Sequence, residues 1–322
     1  MKIILLTLSF FHILGVLTAV HAVMSVRTSQ GAIAWILSLL TFPLVSVPAY
    51  WVFGRRKFAG YVQAHKTSSD VAAEISGELK QALTPYISDY SSTHPEVRAA
   101  ELLARVEVME GNDCTLLIDG DATFGSIFKG IDEAEEYVLV QFYIVHDDGL
   151  GKDLQSRLIA KAQQGVSVYF LFDEIGSLGL PDSYIDPLKK AGVQVSPFNT
   201  RKGRRNRFQL NFRNHRKVVV EDGKAAWIGG HNVGDEYLGK DPKVGRWRDT
   251  HVKINGPAAL AAQLSFLEDY HWATNKLPDV TWTATASTRE NIPVLVVPSG
   301  PADEYETAML MFVHIINSAR HR

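Results

Sequence analysis

The stretch that decides the fold of this 322-residue chain reads His215-Arg216-Lys217-Val218-Val219-Val220-Glu221-Asp222 and, after six further residues, Gly229-Gly230-His231-Asn232. Its apolar run predicts a buried β-strand. Successive side chains of a strand point to opposite faces, so His215 and Lys217 are expected to project from one face. Val218 and Val220 then face the other way, into a core. The pattern therefore predicts an imidazole held beside a fixed cation.

The residues that follow this strand predict a hairpin. Asp222-Gly223 is a typical tight-turn pair, and residues 225–228 are apolar enough to return as a second strand. Gly229-Gly230 lacks side chains and would let backbone come close to whatever lies over the histidine and the lysine. The sequence thus predicts a small, positively charged pocket with a glycine floor.

The residue types in this pocket suit attack on a phosphodiester. A phosphodiester is an anion that resists attack, so its cleavage needs a neutral nucleophile, a cation near the non-bridging oxygens, and amide donors. His215, Lys217 and Asn232 can supply these three functions.

The spacing of the whole stretch resembles a known signature, H-x-K-x4-D-x6-G-G-x-N, which is that of the phospholipase D superfamily. The matched positions are His215, Lys217, Asp222, Gly229, Gly230 and Asn232. The flanking residues 211–214 and 232–237 resemble those of bacterial cardiolipin synthases. A His-x-Lys pair alone would be ordinary surface alternation, but a match at every position of a long motif makes chance a poor explanation.

The resemblance implies roles for the matched residues. In the family, the histidine of one motif attacks phosphorus and forms a phosphohistidine, which implies His215 as the nucleophile. Lys217 and Asn232 would bind the phosphoryl oxygens, and Gly229-Gly230 would line the substrate. Asp222 belongs to the catalytic positions of the motif, although at a turn it is better placed to shape the hairpin than to touch substrate.

The resemblance also implies a reaction. Cardiolipin synthases transfer a phosphatidyl group from one phosphatidylglycerol to another and release glycerol. Phosphatidylglycerol and other membrane phospholipids are therefore the expected partners, and neither a metal nor a cofactor is expected. Two alternatives stay open: a phospholipase D-type enzyme that hydrolyses the same intermediate, and an inactive lipid-binding half domain. The motif alone does not separate transfer from hydrolysis.

The C-terminal residues predict the opening of a second copy of this unit. Residues 294–301 and a helix predicted over 305–320 repeat the pattern of residues 115–121 and the helix after them. Family members continue through a second repeat whose histidine protonates the leaving alcohol, and no second H-x-K-x4-D occurs in this sequence. The expectation is either a truncated part of a longer protein or one half of a homodimer that pairs two motifs.

The overall charge gives no sign of a nucleic-acid partner, since the net charge is −2 and the pI about 6.6. Residues 201–207 are a local exception, with five cations that include Arg204 and Arg205. They are interpreted either as a solvated loop or as a binding site for anionic lipid headgroups. The single cysteine, Cys114, excludes an intrachain disulfide and a multi-cysteine zinc site.

Two apolar stretches near the N terminus predict a membrane hairpin. Residues 3–23 and 31–53 are each long enough to cross about 30 Å of hydrocarbon as a helix. Pro43 and Pro48 are expected to kink the second stretch. A cleaved signal peptide or a buried helix is the alternative, but the first stretch is longer than a signal core and a second follows at once. The hairpin favours transfer between membrane lipids.

Basic residues predict the orientation of this hairpin. Lys2 precedes the first stretch, residues 55–57 (Arg-Arg-Lys) follow the second, and Arg27 is the one basic residue in the connector. Because basic residues favour the cytoplasmic side, both ends are expected there. The expected location is a bacterial inner membrane, spanned more than once, with a cytoplasmic catalytic domain.

The whole chain is predicted to be an α/β protein with four parts: a transmembrane hairpin (1–57), a juxtamembrane helical linker (58–111), a first phospholipase D-like domain (112–275), and a linker with an incomplete second repeat (276–322). Strands and helices alternate from Cys114 to Phe172, which predicts a mainly parallel sheet covered by helices on both faces. In the linker, Ser69-Asp70 and Thr93 are expected to cap helices over 71–83 and 95–108.

Residues 246–251, Arg-Trp-Arg-Asp-Thr-His, resemble the segment that follows the first motif in cardiolipin synthases. A carboxylate beside a catalytic histidine fixes its tautomer and stabilises its charged form, so Asp249 is the candidate orienting acid. Asp249 is equally suited to cap the strand that starts there. The histidines 231, 251 and 271 lack a spacing that favours a metal over ordinary packing. Tyr143 could reach the pocket but is interpreted as a core aromatic.

Overall fold

The computed structural model describes residues 2–26, 29–54, 77–198, 213–300, 303 and 306–320. These residues belong to two compact units, one containing the described residues up to 54 and the other those from 77 onward. Four predictions fall on residues outside this description. They concern the basic residues 201–207 with Arg204 and Arg205, Arg27 in the connector, the basic residues 55–57, and the Ser69-Asp70 cap.

The N-terminal unit is helical. It comprises α1 (Lys2–Ser25), α2 (Ser29–Thr41), α3 (Pro43–Ala49) and a π-helical turn (Tyr50–Gly54). The predicted kink at Pro43 is confirmed, because Phe42, the residue before it, has a non-helical backbone (φ −129°, ψ 54°). The second apolar stretch is therefore divided into shorter helices. Among the described helices, α1 over Leu6–Ser25 has the length and apolar composition to cross a membrane.

Small side chains bring α1 close to α2. A Cβ on Gly15 would lie 2.5 Å from the carbonyl oxygen of Leu39, so a larger residue would push the helices apart. Ala19 and Ala22 are buried in the same contact, together with Leu39 and Tyr50. Close backbone approach of this kind is typical of helices that associate in a membrane.

The second unit is built around an eight-stranded sheet. Its strands are β1 (Met109–Ile118), β2 (Tyr137–Phe142), β3 (Ser167–Asp173), β4 (Gln194–Phe198), β5 (Val218–Glu221), β6 (Ala225–Gly229), β7 (Thr250–Asn255) and β8 (Ile292–Val294). Its helices are α4 (77–83), α5 (Tyr90–Thr93), α6 (Pro95–Ala104), α7 (Asp119–Glu133), α8 (Gly149–Gln163), α9 (Asp182–Lys190), α10 (Ala259–Thr274) and α11 (Thr307–Ser318). The predicted α/β class is confirmed.

The sheet is mixed, which corrects the prediction of a mainly parallel sheet. Its strand order is β4-β3-β2-β5-β6-β7-β1-β8. Among the described strands, β2–β3 and β3–β4 pair in parallel and every other neighbouring pair is antiparallel. The strands β1 and β2, joined through α7, do run in the same direction, but β5, β6 and β7 lie between them. Strand–helix alternation predicts the direction of connected strands, not which later strands are inserted between them.

Helices cover both faces of the sheet, as predicted. Val138 and Trp227 belong to the core under α7, α8 and α9. On the other face, Tyr137 donates a hydrogen bond to Gln263 of α10 at 2.7 Å. Tyr137 and Val138 are neighbours in β2, so they point to opposite faces, and both are buried. Burial on both faces explains why the central strands are apolar throughout.

Several predicted boundaries need correction. Thr93 ends α5, where its hydroxyl donates to the carbonyl of Tyr90 at 3.1 Å, so it does not cap α6. Helix α6 ends at Ala104, short of the predicted residue 108, because Arg105 adopts a left-handed backbone (φ 58°). The strand predicted over 294–301 lies earlier, in β8, and pairs antiparallel with β1.

A glycine in α7 makes room for the largest buried side chain of the core. A Cβ on Gly130 would lie 2.1 Å from the ring of Trp227, whereas the exposed Gly125 of the same helix has nothing within 4 Å of that position. We expect Gly130→Ala to lower the free energy of unfolding by about 1–3 kcal/mol through overpacking. Gly125→Ala should raise it by about 0.5–1 kcal/mol, since alanine favours the helix. Denaturant unfolding in detergent, followed by tryptophan fluorescence, tests the pair, and equal effects would contradict the packing argument.

Candidate active site

The His-x-Lys segment lies at one edge of the sheet, immediately before β5. Residues 213–217 precede the strand ladder, which begins at Val218. Since β5 runs antiparallel to β2, the residues that precede β5 lie beside those that follow β2. The ends of β3 and β6 and the start of β7 meet at the same edge. This edge therefore gathers residues that are far apart in sequence.

His215 and Lys217 lie side by side, which confirms the alternation predicted for them. The Nζ atom of Lys217 is 2.9 Å from Nδ1 of His215 and donates to the His215 carbonyl oxygen at 2.7 Å. Lys217 is 4% exposed, whereas His215 is exposed. A buried cation thus lies next to an imidazole that a substrate can reach.

Burial sets the protonation of both groups. Loss of solvation lowers the pKa of Lys217 to about 8, and the negative charge of Asp249 opposes this shift. Loss of solvation and the charge of Lys217 lower the pKa of His215 below its usual 6.5, and Asp173 opposes them. Near pH 7 the predominant state is a neutral imidazole beside a protonated lysine.

Tyr143, which follows β2, forms one wall of the site. Its ring centroid lies 4.5 Å from that of His215 and 5.5 Å from Nζ of Lys217. Arg213 donates to the Tyr143 hydroxyl at 3.1 Å. The prediction of a core aromatic is therefore incomplete, because this side chain, although 9% exposed, also contacts the predicted nucleophile.

Gly229 and Gly230 make room for two side chains, His251 in β7 and Asp249 immediately before β7. A Cβ on Gly229 would lie 2.4 Å from the ring of His251, and one on Gly230 would lie 2.1 Å from Oδ1 of Asp249. Side chains at these two positions would therefore overlap His251 and Asp249. The predicted role of the glycine backbone in substrate binding stays a prediction.

The negative charges of two carboxylates, one at the end of β3 and one just before β7, raise the pKa values of the His-x-Lys pair. Asp249 acts on Lys217, and its Oδ1 accepts from the backbone N–H of Thr250 at 2.7 Å, as a cap of β7 would. The carboxylate whose charge raises the pKa of His215 is Asp173, at the end of β3. The charge of Asp173 therefore acts on His215 and that of Asp249 acts on Lys217, and the role of Asp249 as an orienting acid stays a prediction.

Behind the glycines, His231 and His251 form a buried pair. They are 0% and 1% exposed, and their Nδ1 atoms are 3.2 Å apart. Loss of solvation lowers the pKa of both rings, that of His251 to about 3. Both are therefore neutral near pH 7, so one ring can donate a hydrogen bond to the other. This arrangement fits the packing role expected for these histidines.

Asn232 is tied into the scaffold. Its Oδ1 accepts from the backbone N–H of Ile144 at 3.0 Å, and its Nδ2 donates to the Tyr237 hydroxyl at 3.1 Å. The residue is 5% exposed. A side-chain amide has two N–H groups, so a phosphoryl oxygen would use the second. The role of Asn232 as a phosphate ligand stays a prediction.

Asp222 lies at the opposite end of β5 from His215. Its carboxylate accepts hydrogen bonds of 2.8–2.9 Å from the backbone N–H groups of residues 135–137, where β2 starts. Asp222 and Gly223 have positive φ angles of 48° and 65°, as a type I′ hairpin turn requires. Its assignment as a catalytic residue is therefore corrected: Asp222 shapes the hairpin and fixes it to β2.

Within the described ranges, one group of side chains has ligand atoms close enough to hold a metal ion. His146, Asp148 and Glu236 offer atoms within 4.8 Å of one another. Both carboxylate oxygens of Asp148 accept backbone N–H groups, from Gly151 at 3.0 Å and Asp235 at 2.7 Å. His146 pairs with Glu236 at 3.3 Å. These contacts account for the cluster as part of the scaffold.

Sequence reasoning missed two carboxylates of this edge, Asp173 and Asp269. A signal for Asp173 was available, because a polar residue that ends a buried parallel strand commonly lies at a functional edge. Tyr143 carries the same signal. Asp269 lies within α10 and carries no motif or spacing that would single it out. Arg204 and Arg205 lie outside the described residues, so their headgroup role stays a prediction.

The chain is similar in sequence to phospholipase D-like proteins. Residues 127–261 match the family described as "Cardiolipin synthase, PLD-like domain", and residues 5–55 match "Phospholipase_D-nuclease N-terminal". Cardiolipin synthase A of Pseudomonas fluorescens strain Pf-5 is 46% identical over 321 residues, covering 98% of this chain and 66% of the relative. Cardiolipin synthase A of Pseudomonas syringae pv. syringae is 45% identical over 320 residues, with the same coverage.

The chain therefore spans 66% of the length of these curated relatives. Among solved structures, a phospholipase D family member, Nuc from Salmonella typhimurium, is similar over 50% of this chain and 96% of that chain. The sequence identity in that comparison is 17% and the TM-score is 0.41.

Proposed function

The chain belongs to the cardiolipin synthase family of phospholipase D-like proteins, and from this membership we propose that it is a phosphatidyltransferase that joins two phosphatidylglycerol molecules into cardiolipin and releases glycerol. The observation that carries the proposal is the contact between an exposed, neutral His215 and a buried, charged Lys217. An apolar N-terminal helix that associates the protein with a membrane fits lipid substrates.

We propose that, when substrate binds, the ammonium of Lys217 donates a hydrogen bond to a phosphoryl oxygen instead of to Nδ1 of His215. In the structure this ammonium lies against Nδ1 of His215, so the neutral ring carries its proton on Nε2. Once the ammonium turns to a phosphoryl oxygen, Nδ1 can hold the ring proton and Nε2 keeps a free lone pair. Substrate binding would thereby generate the tautomer that attacks phosphorus.

The reaction is then a double displacement. In the first step an N–P bond forms to His215 while the bond from phosphorus to the glycerol oxygen breaks, and an acid protonates the departing alkoxide. In the second step the hydroxyl of another phosphatidylglycerol attacks phosphorus, the N–P bond breaks, and the hydroxyl proton returns to that acid. Lys217 stabilises the charge on the phosphoryl oxygens in both steps.

The acid is proposed to come from a second motif, either on a second repeat or on a second copy of this chain. Proton transfer by a positioned acid contributes about 10²- to 10⁴-fold to such reactions. Hydrolysis is the second candidate activity, because water can attack the same phosphohistidine. The exposure of His215 favours this alternative, so the product has to be identified as well as the intermediate.

His215→Ala should abolish both product and covalent intermediate, because the proposal makes the imidazole of His215 the group that attacks phosphorus. Protein in detergent is incubated with phosphatidylglycerol carrying labelled acyl chains and quenched in alkaline detergent, because N–P bonds are labile in acid. Labelled protein, cardiolipin and phosphatidic acid are then separated. Labelled protein from the His215→Ala variant would overturn the nucleophile assignment.

The matched control is His94→Ala, which removes an imidazole from the junction of α5 and α6. It should label like the unmodified chain. Cardiolipin as the main product supports transfer, and phosphatidic acid as the sole product supports hydrolysis. Turnover that rises more steeply than linearly with protein concentration would identify a second copy as the source of the acid.

The pH dependence of intermediate formation should report Lys217. The reactive state needs neutral His215, whose pKa is lowered, and charged Lys217, whose pKa is about 8. The rate should therefore be highest near pH 7, fall to about half by about pH 8 and fall about tenfold by about pH 9, as the lysine loses its proton. Lys217→Arg keeps a charge to beyond about pH 12, so it should remove this decline even if its rate is lower throughout. An identical decline in both proteins would contradict the assignment.

We propose that both ends of the N-terminal hairpin are cytoplasmic, as the basic residues around it favour. In a Cys114→Ser background, Ser92→Cys should resist a membrane-impermeant thiol reagent in intact cells and react after lysis. Ser29→Cys, at the start of α2 and exposed like Ser92, is the opposite-side control and should react in intact cells. Labelling of Ser92→Cys in intact cells would reverse the orientation.

A further inference from the structure

A buried carboxylate on α10 lies directly behind the predicted nucleophile. Asp269 is 1% exposed and belongs to neither part of the H-x-K motif. Its Oδ2 accepts hydrogen bonds from Gln141 at 2.8 Å, from Asn214 at 2.7 Å and from Arg216 at 2.8 Å. Two of these donors, Asn214 and Arg216, are the residues on either side of His215.

The segment that carries His215 needs such support because backbone pairing does not supply it. The ladder between β5 and β2 begins at Val218, after both His215 and Lys217. Asn214 and Arg216 alternate with His215 and Lys217, so they point toward α10 while the reactive side chains point away. Side-chain contacts of Asn214 and Arg216 therefore hold the backbone from which the nucleophile projects.

A second buried carboxylate fixes the same segment from β3. Asp173, 1% exposed, accepts from the backbone N–H of Asn214 at 2.9 Å. Asn214 in turn accepts from the backbone N–H of Arg216 at 3.1 Å. The residues on either side of His215 are thus held by two buried carboxylates, Asp173 through the backbone of Asn214 and Asp269 through the side chains of Asn214 and Arg216.

We propose that Asp269 is a positioning residue for phosphatidyl transfer, which holds Asn214 and Arg216 so that His215 and Lys217 keep the spacing needed for attack. The inference rests on the proposed function of His215. A purely structural ion pair would stabilise the fold without affecting the reaction of folded molecules. Positioning makes a different demand, because a displacement of about 1 Å at a reacting group costs on the order of 10²-fold in rate.

The test uses the full chain in detergent and the single-turnover rate of phosphatidyl-enzyme formation. Asp269→Asn is expected to lower this rate about 10- to 100-fold at saturating phosphatidylglycerol, with little change in KM. Glu268→Gln removes a carboxylate from the neighbouring position of α10 and should leave the rate within about twofold. A rate for Asp269→Asn equal to that of the unmodified chain would overturn the proposal.

Removing one member of a buried ion pair can also unfold the protein, so a second variant is needed. Asp269→Asn combined with Arg216→Gln removes both charges and leaves amides that can bond to each other. The double variant should recover the thermal midpoint but keep a rate at least about tenfold low, because the flexible Gln no longer holds the backbone as Arg216 does. Recovery of both stability and rate would show that Asp269 is structural only.

A readout that needs no turnover separates this inference from the proposed function. The imidazole of His215 can be titrated by NMR of histidine-labelled protein and assigned with His215→Ala. Its pKa is lowered by burial and by Lys217 and Arg213, and raised by Asp173. If Asp269→Asn lets the ring move away from Lys217, this pKa should rise toward 6.5. Loss of a negative charge without movement would lower it instead, and that result would overturn the positioning role.

The two failures are distinguishable. An unmodified chain that forms no phosphatidyl-enzyme contradicts the proposed function, whatever the titration shows. A chain that forms the intermediate at the same rate with and without the Asp269 carboxylate contradicts only the positioning role.

Discussion

The antiparallel pairing of β5 with β2 is the constraint on which the site depends. It places the start of β5 beside the end of β2, and so brings the His-x-Lys segment to Tyr143 and to the end of β3. The register is fixed at the far end of the strand, where Asp222 binds the first backbone N–H groups of β2. A slip by one residue would turn every side chain of β5 to the other face. Asp222 thus affects the chemistry indirectly, because it fixes the register of β5 against β2 and with it the direction in which His215 and Lys217 point.

The site combines a buried cation, Lys217, with a solvent-exposed nucleophile, His215. Burial of Lys217 carries a desolvation cost, which its lowered pKa reflects, and the negative charge of Asp249 offsets part of it. Asp249 can occupy this position because residue 230 is glycine; a side chain at residue 230 would overlap the carboxylate. Gly230 therefore affects the lysine indirectly, because it leaves room for the carboxylate whose charge acts on Lys217.

Local pattern predicted the features that depend on neighbours in sequence. The shared face of His215 and Lys217 follows from the two-residue period of a strand, and the Asp222-Gly223 hairpin follows from turn chemistry. The mixed sheet could not be predicted in this way, because strand order depends on which distant strands bury each other best. Asp269 was missed for the same reason, because it contacts the neighbours of His215 through tertiary contacts that no local motif encodes. Asp173 does end a buried strand, but its contact with Asn214 is also tertiary and is not specified by that local signal. The predicted role of Asp249 as the orienting acid stays a prediction; its charge acts on Lys217, and that of Asp173 acts on His215.

The strand order has a further consequence for solubility once the unit is folded. In the described sheet, β4 and β8 are the outermost strands. Each contains a proline, Pro197 in β4 and Pro293 in β8. Proline has no N–H group to offer a further strand, so both outer strands are poor templates for edge-to-edge aggregation. A sheet whose interior strands are apolar on both faces is thereby protected at the two places where another chain could extend it.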